Sequence, residues 1–326
     1  MMREREHAAP VGARSSEKQQ KCVTVIFNPV SGHGHPEARK RAIVEALAEH
    51  GYRCQHLVTT LERGARHCAE EALKQGVDLL AVSGGDGTVI EAMSALVGTK
   101  VPIAIFPAGT GNLLSINLAL PRQVPEAVHA ALFGERRPLD LVRVHTENVD
   151  GREETHHFAI LAGAGYDACV IHDAGRKAKN RFGSLAYFWS ALRNLGDRSV
   201  VVRVRLDDEP RWRRRLAKSV MVANMGHLQG GIVVVPHACP DDGLLDVAIL
   251  KAANLGDWAH LLWSALHGQM DHERHMEYHT ARKVSVQLSV PQRAEFDGEE
   301  IGSVRAFTAE ILPAAVQVMI PREAPI

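Results

Sequence analysis

The sequence predicts two domains: an amino-terminal α/β domain on a parallel sheet, then a second, mostly antiparallel β domain. Two observations carry this. From residue 22 to 107, short apolar strands alternate with helical patterns of about 10–15 residues, the mark of βαβ units. From about residue 140 strand-like segments dominate and helical patterns thin out. A length of 326 residues accommodates two domains.

Val23 to Phe27 reads as a buried strand ended by Asn28-Pro29. Pro36 to His50 carries helical spacing at Ala42, Val44, Leu47 and Ala48, with Gly51 as its stop. His56–Thr59, Leu79–Val82 and Val101–Phe106 are the next strands, and Ala65–Gln75 and Val89–Val97 the helices between them. In the second half Leu141–Val144, Phe158–Ala162, Val200–Leu206, Val220–Asn224, Leu245–Leu250, Val284–Val290 and Val316–Ile320 are strand-like. Arg176–Leu195 and Leu255–Met270 are helical. Residues 1–20 read as a flexible tail.

Composition narrows the class. Hydrophobic residues at 45 % and charged residues at 23 % are ordinary globular usage. Thirty-eight basic side chains balance thirty-eight acidic ones, so net charge gives no reason to expect a nucleic-acid partner. Cys22, Cys54, Cys68, Cys169 and Cys239 are scattered and never spaced Cys-x-x-Cys, which fits a reducing cytosol. The first twenty residues have no apolar core, so no secretory signal is expected. The charge-free run from Val101 to Pro121 is broken by Pro, Gly and Asn and does not read as a lipid-facing helix.

Glycine-rich turns follow three of the predicted strands: Asn28-Pro-Val-Ser31-Gly32-His-Gly34, Ser83-Gly84-Gly85-Asp86-Gly87-Thr88, and Pro107-Ala-Gly109-Thr110-Gly111-Asn112. In a parallel sheet they share the carboxyl edge, where ligands bind. Glycine lets backbone N–H groups converge on an anion, and the next helix N-terminus adds favourable dipole charge. One such turn is ordinarily just a turn; three in register point to a phosphate chain. No Gly-x-x-x-x-Gly-Lys-Ser/Thr occurs, and no Gly-x-Gly-x-x-Gly opens the first helix, which removes the P-loop and leaves a dinucleotide Rossmann site little support.

The ordered set resembles the catalytic domain shared by diacylglycerol kinases, sphingosine kinases and soluble bacterial lipid kinases. Gly84-Gly-Asp-Gly-Thr88 and Pro107-x-Gly109-Thr110-x-Asn112 carry the likeness, with Asn28-Pro-x-Ser31-Gly32 before them. Pro236-x-Ala238-x-x-Asp241-Asp242-Gly243-Leu244 and Phe296-Asp297-Gly298-Glu299 extend it to residues 22–321. The resemblance implies an α/β nucleotide-binding domain over 21–140, a β-sandwich lipid-substrate domain over 141–311, and a last strand, 312–321, returning to the first. ATP would lie in the cleft between them, with Mg2+.

It also implies roles. Gly84, Gly85, Asp86, Gly87 and Thr88 would cradle the ATP phosphates with Thr110 nearby, Thr60 would contact the nucleotide, and Asn28, Ser31, Gly32, Gly111 and Asn112 would belong to the same nucleotide site. Asp86 would organise the catalytic magnesium, and Glu299 would be the general base for a lipid hydroxyl. Asp242, with the main-chain oxygens of Cys239 and Leu244, would hold a structural magnesium; an unoccupied Asp-Asp-Gly turn is the plainer alternative. Phosphoryl transfer asks for this electrostatic cradling and in-line positioning.

Two positions depart from the family pattern. Val89-Ile90-Glu91 stands where many relatives have x-Asn-Glu, and Leu113 where many diacylglycerol kinases carry Asp. Leu113 weakens diacylglycerol as the specific substrate, since sphingosine and ceramide kinases more often have an apolar residue there. The expected activity is ATP-dependent phosphorylation of a membrane lipid, diacylglycerol to phosphatidic acid first. A sphingoid base or ceramide, a soluble substrate as in NAD kinases, or a silent nucleotide-binding regulator stay open.

The expected partners are the lipid and an anionic membrane surface, with a homodimer left open and no nucleic acid; the expected location is cytoplasmic and membrane-peripheral. Residues 176–218 hold thirteen Lys/Arg against four acids and enclose the aromatic run Phe182–Trp189. That reads as a docking surface or, equally, as packed aromatics with a solvated arginine face. His272, His275 and His279 have helical spacing; they read as a polar face, with zinc as the less favoured use.

Overall fold

The computed structural model describes residues 21–32, 36–165, 199–227, 235–251 and 276–322. The expected tail, the helices over 176–195 and 255–270, the aromatic run, Cys169, His272 and His275 lie outside them.

Strands β1 (Cys22–Phe27), β2 (Arg53–Val58), β3 (Leu79–Gly84) and β4 (Pro102–Pro107) alternate with α1 (Pro36–Glu49), α2 (Ala65–Lys74) and α3 (Asp86–Leu96). The strands run parallel in the order β4-β3-β1-β2. Every residue of β1 and β3 is buried, as expected where helices cover both faces. Alternation along β1 sorts its side chains. Val23 and Val25 join the core with Ile43 and Leu47 of α1, while Ile26 joins Cys68 of α2 and Met93 of α3. Two further helices follow, α4 (Leu113–Asn117) and α5 (Val124–Phe133), the latter packing on the α1 face.

The second half forms an antiparallel β-sandwich from β5 (Glu135–Asn148), β6 (Glu153–Phe158), β7 (Leu161–Gly165), β8 (Val200–Leu206), β9 (Arg213–Ala217), β10 (Ser219–Ala223), β11 (Leu245–Leu250), β12 (Met276–Ala281), β13 (Lys283–Phe296) and β14 (Glu299–Ile320). Phe158, Val204, Val222, Val247, Val286 and Phe307 lie in its core. One hydrogen-bonded path joins both halves: β12-β11-β10-β7-β13-β14-β4-β3-β1-β2.

The strand expected at Phe158–Ala162 is two strands, β6 and β7, broken at Ala159–Ile160. The backbone there turns its N–H groups onto the buried Asp297 carboxylate: Ala159 donates to Oδ2 at 2.7 Å, and Ile160 and Leu161 to Oδ1 at 2.9 Å. The strand expected at Val316–Ile320 is the end of the 22-residue β14. Its first part pairs antiparallel with β13 and β5; Gln317 and Val318 then pair parallel with Pro102 and Ile103 of β4.

Between those parts β14 shifts register against β5 from Leu312 to Val316, with Ala314 in the left-handed region (φ 48°). Asp140 of β5 pins this break. Its buried carboxylate accepts N–H bonds from Ala314 at Oδ1 and Gly243 at Oδ2, both 2.7 Å.

His279 sits on strand β12, so the helical spacing of the three histidines does not reach it. An ion network fixes it. Arg213 Nη1 lies 3.2 Å from His279 Nδ1, and Glu277 Oε1 lies 2.8 Å from its Nε2. An arginine can only donate, so Nδ1 accepts and Nε2 carries the proton. Glu277 also binds Arg215 and Lys251, and Glu209 binds Arg213. Two arginines of the expected docking patch therefore have their charge internally matched.

Replacing Asp140 with Ala should cost about 1–3 kcal/mol, because two part-buried N–H donors lose their charged acceptor. Urea denaturation of Asp140→Ala against the parent checks this; an unchanged midpoint would show that the register break holds itself.

Candidate active site

The three glycine-rich turns leave the carboxyl ends of adjacent strands β1, β3 and β4 and are tied together by hydrogen bonds. Asn28 N–H donates to Ser83 O and Ala108 N–H to Gly84 O, each at 2.9 Å. The Asn28 side chain donates to Thr88 Oγ1 at 2.8 Å and accepts the Val30 N–H at 3.1 Å. Gly85 N–H donates to Ser31 Oγ at 3.3 Å. Gly32 packs against Ala108 O. In the third turn the Asn112 side chain accepts the Gly109 N–H at 2.8 Å and donates to Gly109 O at 2.7 Å, closing the loop around Thr110 and Gly111. The loops approach too closely for side chains: a Cβ on Gly109 would lie 2.7 Å from Gly85 Cα.

Asp86 opens α3, behind the extended Gly85 cap. Its carboxylate accepts the Leu113 N–H at Oδ2 and the Leu114 N–H at Oδ1, both 3.1 Å, and so caps α4 from a distance. Gly111 lies against Oδ2. Glu299, the first residue of β14, rests its carboxylate on Gly87, where any Cβ would collide with Oε1. Burial, then the charges of Glu91 and Asp86, hold the Glu299 carboxyl above its ordinary value. Burial raises Asp86 as well, against its backbone N–H donors. Asp297 is raised to about 7 by burial, opposed by the three N–H bonds it accepts. Carboxyl groups are thus gathered where their ionised forms are costly, the condition for tuned acid–base chemistry.

Thr60 closes a turn with Arg63, whose N–H reaches Thr60 Oγ1 at 3.1 Å. Glu91 of α3 accepts the Ala65 N–H at 2.8 Å and brings the following helix start against α3. The Asp-Asp-Gly loop is held elsewhere, to Asp140 through Gly243. Asp242 Oδ1 accepts the Leu244 N–H at 2.9 Å, and the Cys239 thiol donates to Asp241 Oδ1 at 3.2 Å.

Two hollows flank the loops. A cleft of about 500 Å³ separates α2 and α3 from β6 and the Asp297–Glu299 turn; Gly87, Glu91, His67, His156, His157 and Glu299 are among its lining. Burial, and then nearby cations led by Arg66, push His157 down to about 4, so it is neutral near pH 7. The second hollow, about 390 Å³, is lined by Arg39, Arg122, Pro107–Thr110 and Asn112. Arg39, Arg122 and the β6 histidines escaped the sequence reading because no motif contains them; each reaches the site from its own element.

Residues 22–144 match the diacylglycerol kinase catalytic domain, and residues 161–320 match the YegS C-terminal NAD kinase beta sandwich-like domain. The chain belongs to the bacterial-type diacylglycerol kinase family. It is therefore a lipid kinase, a phosphotransferase with an alcohol acceptor, and uses ATP. Over 308 residues it is 28 % identical to a diacylglycerol kinase of Mycobacterium tuberculosis, covering 92 % of this chain and 95 % of that one. A diacylglycerol kinase of Bacillus subtilis is 26 % identical over 307 residues, with 93 % and 97 % covered. Two solved structures share the fold. A diacylglycerol kinase from Bacillus anthracis has a TM-score of 0.68 at 22 % identity, covering 94 % of this chain and 99 % of that one. Yeast NADH kinase complexed with NADH has a TM-score of 0.51 at 13 % identity, covering 94 % and 85 %. No described helix is long and apolar enough to cross a membrane.

Gly109→Ala should push the second and third loops apart and weaken ATP binding roughly tenfold, the loss expected when oriented backbone donors are displaced. Calorimetric titration with ATP reads this; unchanged affinity would remove the two loops from the nucleotide site.

Proposed function

We propose that this enzyme transfers the γ-phosphoryl group of ATP to the free hydroxyl of diacylglycerol, giving phosphatidic acid and ADP. The observation that carries the reading is the Glu299 carboxylate lying on Gly87, at the α3 N-terminus, beside Asp86. The hydroxyl proton passes to Glu299 while the hydroxyl oxygen bonds to the γ-phosphorus. The bond to the β–γ bridging oxygen breaks and ADP leaves. The glycine loops hold the phosphates through backbone N–H groups, and their close packing leaves space that side chains would fill.

A divalent cation fits this site. Glu299 is raised partly by Glu91 and Asp86, a repulsion that a cation would relieve. Asp86 would hold Mg2+, which when bound neutralises charge on the phosphates. The Asp242 loop fits a second, structural ion. Asp242 and the main-chain oxygens of Cys239 and Leu244 would hold it; burial, then the Asp242 charge, pushes Asp246 up to about 6, a repulsion that a cation would relieve.

Leu113 favours a second reading, a sphingoid base or ceramide as acceptor. It is partly buried against the core, at a position where many diacylglycerol kinases carry Asp. An ATP-consumption screen with diacylglycerol, sphingosine, ceramide and NAD in mixed micelles separates these acceptors; turnover on NAD alone would overturn the lipid reading.

Glu299→Gln should retain ATP binding and lower kcat roughly 10²-fold or more, as when a general base is lost. The sign of the pH dependence follows. The base acts ionised, so kcat rises with pH through the Glu299 pKa, above the ordinary glutamate range, and the variant loses this acidic limb. If Glu300→Gln is the crippling change instead, the base is the neighbouring residue.

A further inference from the structure

We propose that Asn117 is a positioning residue for the phosphoryl transfer: from the end of α4 it latches the nucleotide-binding half to the sandwich and so sets where Glu299 stands against the glycine loops. The inference rests on the roles given to Glu299 and those loops in the proposed function. Both N–H groups of the Asn117 amide are used: one donates to Leu113 O and the other to His227 O, each at 2.9 Å. Its oxygen accepts the His227 N–H at 3.3 Å. His227 follows β10, in the other half of the molecule and 110 residues away in sequence. The latch meets the main chain of His227 in both directions, as a rung of a sheet does, so it fixes orientation as well as distance. From there hydrogen bonds lead to the base. Asn224 and Met225 donate their N–H groups to Ile160 O at 2.8 and 3.1 Å, and the Ile160 N–H goes to Asp297, two residues before Glu299. Glu299 rests on Gly87, beside Asp86, and Asp86 accepts the N–H groups that start α4. The path closes where it began.

Two features make such a latch necessary. The first is the way β14 joins the halves. It crosses at an irregular step and pairs with β4 through Gln317 and Val318. A crossing of that kind can act as a hinge, so a second tie away from it sets the angle. The second is the length of α4. Five residues hold little helical structure by themselves, so the helix is placed by what grips its ends, Asp86 at the start and Asn117 at the finish. Leu114 and Leu118 on the same helix share one apolar cluster with Ile160, Met225 and Val235 of the sandwich half. Apolar contact holds the surfaces together but is non-directional, and the Asn117 bonds give it a register. In-line transfer is sensitive to that register, since a misplacement of about 1 Å costs on the order of 10²-fold in rate. Glu299 comes from one half and the phosphate cradle from the other, so an error in their relative placement falls on the chemical step.

Kinetics and hydrogen exchange on the full chain test this. Asn117→Ala should lower kcat on diacylglycerol in mixed micelles roughly tenfold or more and leave MgATP affinity, read by calorimetry, within about twofold of the parent. His227→Ala should keep the parental kcat, because the latch uses only the main chain of that residue. If Asn117→Ala does not fold, the isosteric Asn117→Asp, which keeps the acceptor and loses both donors, should show the same split. Without any ligand, Asn117→Ala should speed amide exchange over residues 224–227 and in the turn at 297–300, which a local support of α4 alone would leave unchanged. The proposal is overturned if the folded Asn117 variant turns over as the parent does. It is overturned if kcat and MgATP affinity fall together, which would make Asn117 a support of the nucleotide loop, or if His227→Ala is as damaging as Asn117→Ala. Parental exchange at both 224–227 and 297–300 also overturns it. Because exchange needs no acceptor, a parent inactive on diacylglycerol whose Asn117 variant still loosens both segments would sink the substrate reading alone; an active parent whose variant loosens neither would sink the latch alone.

Discussion

The buried carboxylate of Asp140 is the constraint on which the two halves of this molecule depend. Within its 22 residues β14 changes from an antiparallel partner of β13 to a parallel partner of β4. The change is made at an irregular step that places Ala314 in a conformation an alanine ordinarily avoids. Asp140 supplies the acceptor for the N–H that this step frees, and with its other oxygen it holds the Asp-Asp-Gly loop. Because Glu299 begins the same strand, the step that joins β14 to β4 also helps to set where the carboxylate falls relative to the glycine loops.

The opposite end of β14 is fixed by the same physics. Asp297 stands at positive φ, two residues before Glu299, and its carboxylate takes the N–H groups released where β6 gives way to β7. The turn carrying Glu299 is thereby tied to the sandwich, while Gly87 ties it sterically to α3. Both contacts bury charge. A site that gathers Asp86, Glu91, Asp297 and Glu299 spends stability on repulsion and desolvation, which the cation and the hydroxyl proton of the proposed reaction would each relieve.

What the sequence showed, and what it did not, follows the range of the forces. The strands and helices of the first half were legible because each reports locally through apolar runs and glycine stops; β11 was read at its observed bounds, Leu245–Leu250. The glycine loops were legible because their chemistry is contiguous. The break between β6 and β7 was not, since its cause is a carboxylate about 140 residues away in sequence. Helix α4 was missed for the same reason: five residues do not announce a helix, and its cap comes from Asp86. The length of β14 was not legible: the sequence reading starts its last strand at Val316, past the register shift that carries Ala314 at positive φ. Arg39 and the β6 histidines belong to no motif, and only the fold sets them in the walls of the two hollows, the histidines in the larger and Arg39 in the smaller.

Asp86 has a structural use besides the chemistry proposed for it. The family resemblance implies that it organises magnesium, and its carboxylate accepts the two N–H groups that start α4. These bonds hold the third glycine loop in place, because Asn112 and Leu113 continue that loop into the helix. They also favour the ionised form of Asp86 against the burial that opposes it. A carboxylate oriented by backbone donors loses little freedom when it binds a cation, so the cost of ordering it is met on folding rather than during the reaction. The leucine at position 113 is compatible with this arrangement, since its contribution to the cap is a backbone N–H, which any residue but proline provides. The departure from the family pattern at that position therefore leaves the cradle standing, and its effect falls on the side chain that borders the loop.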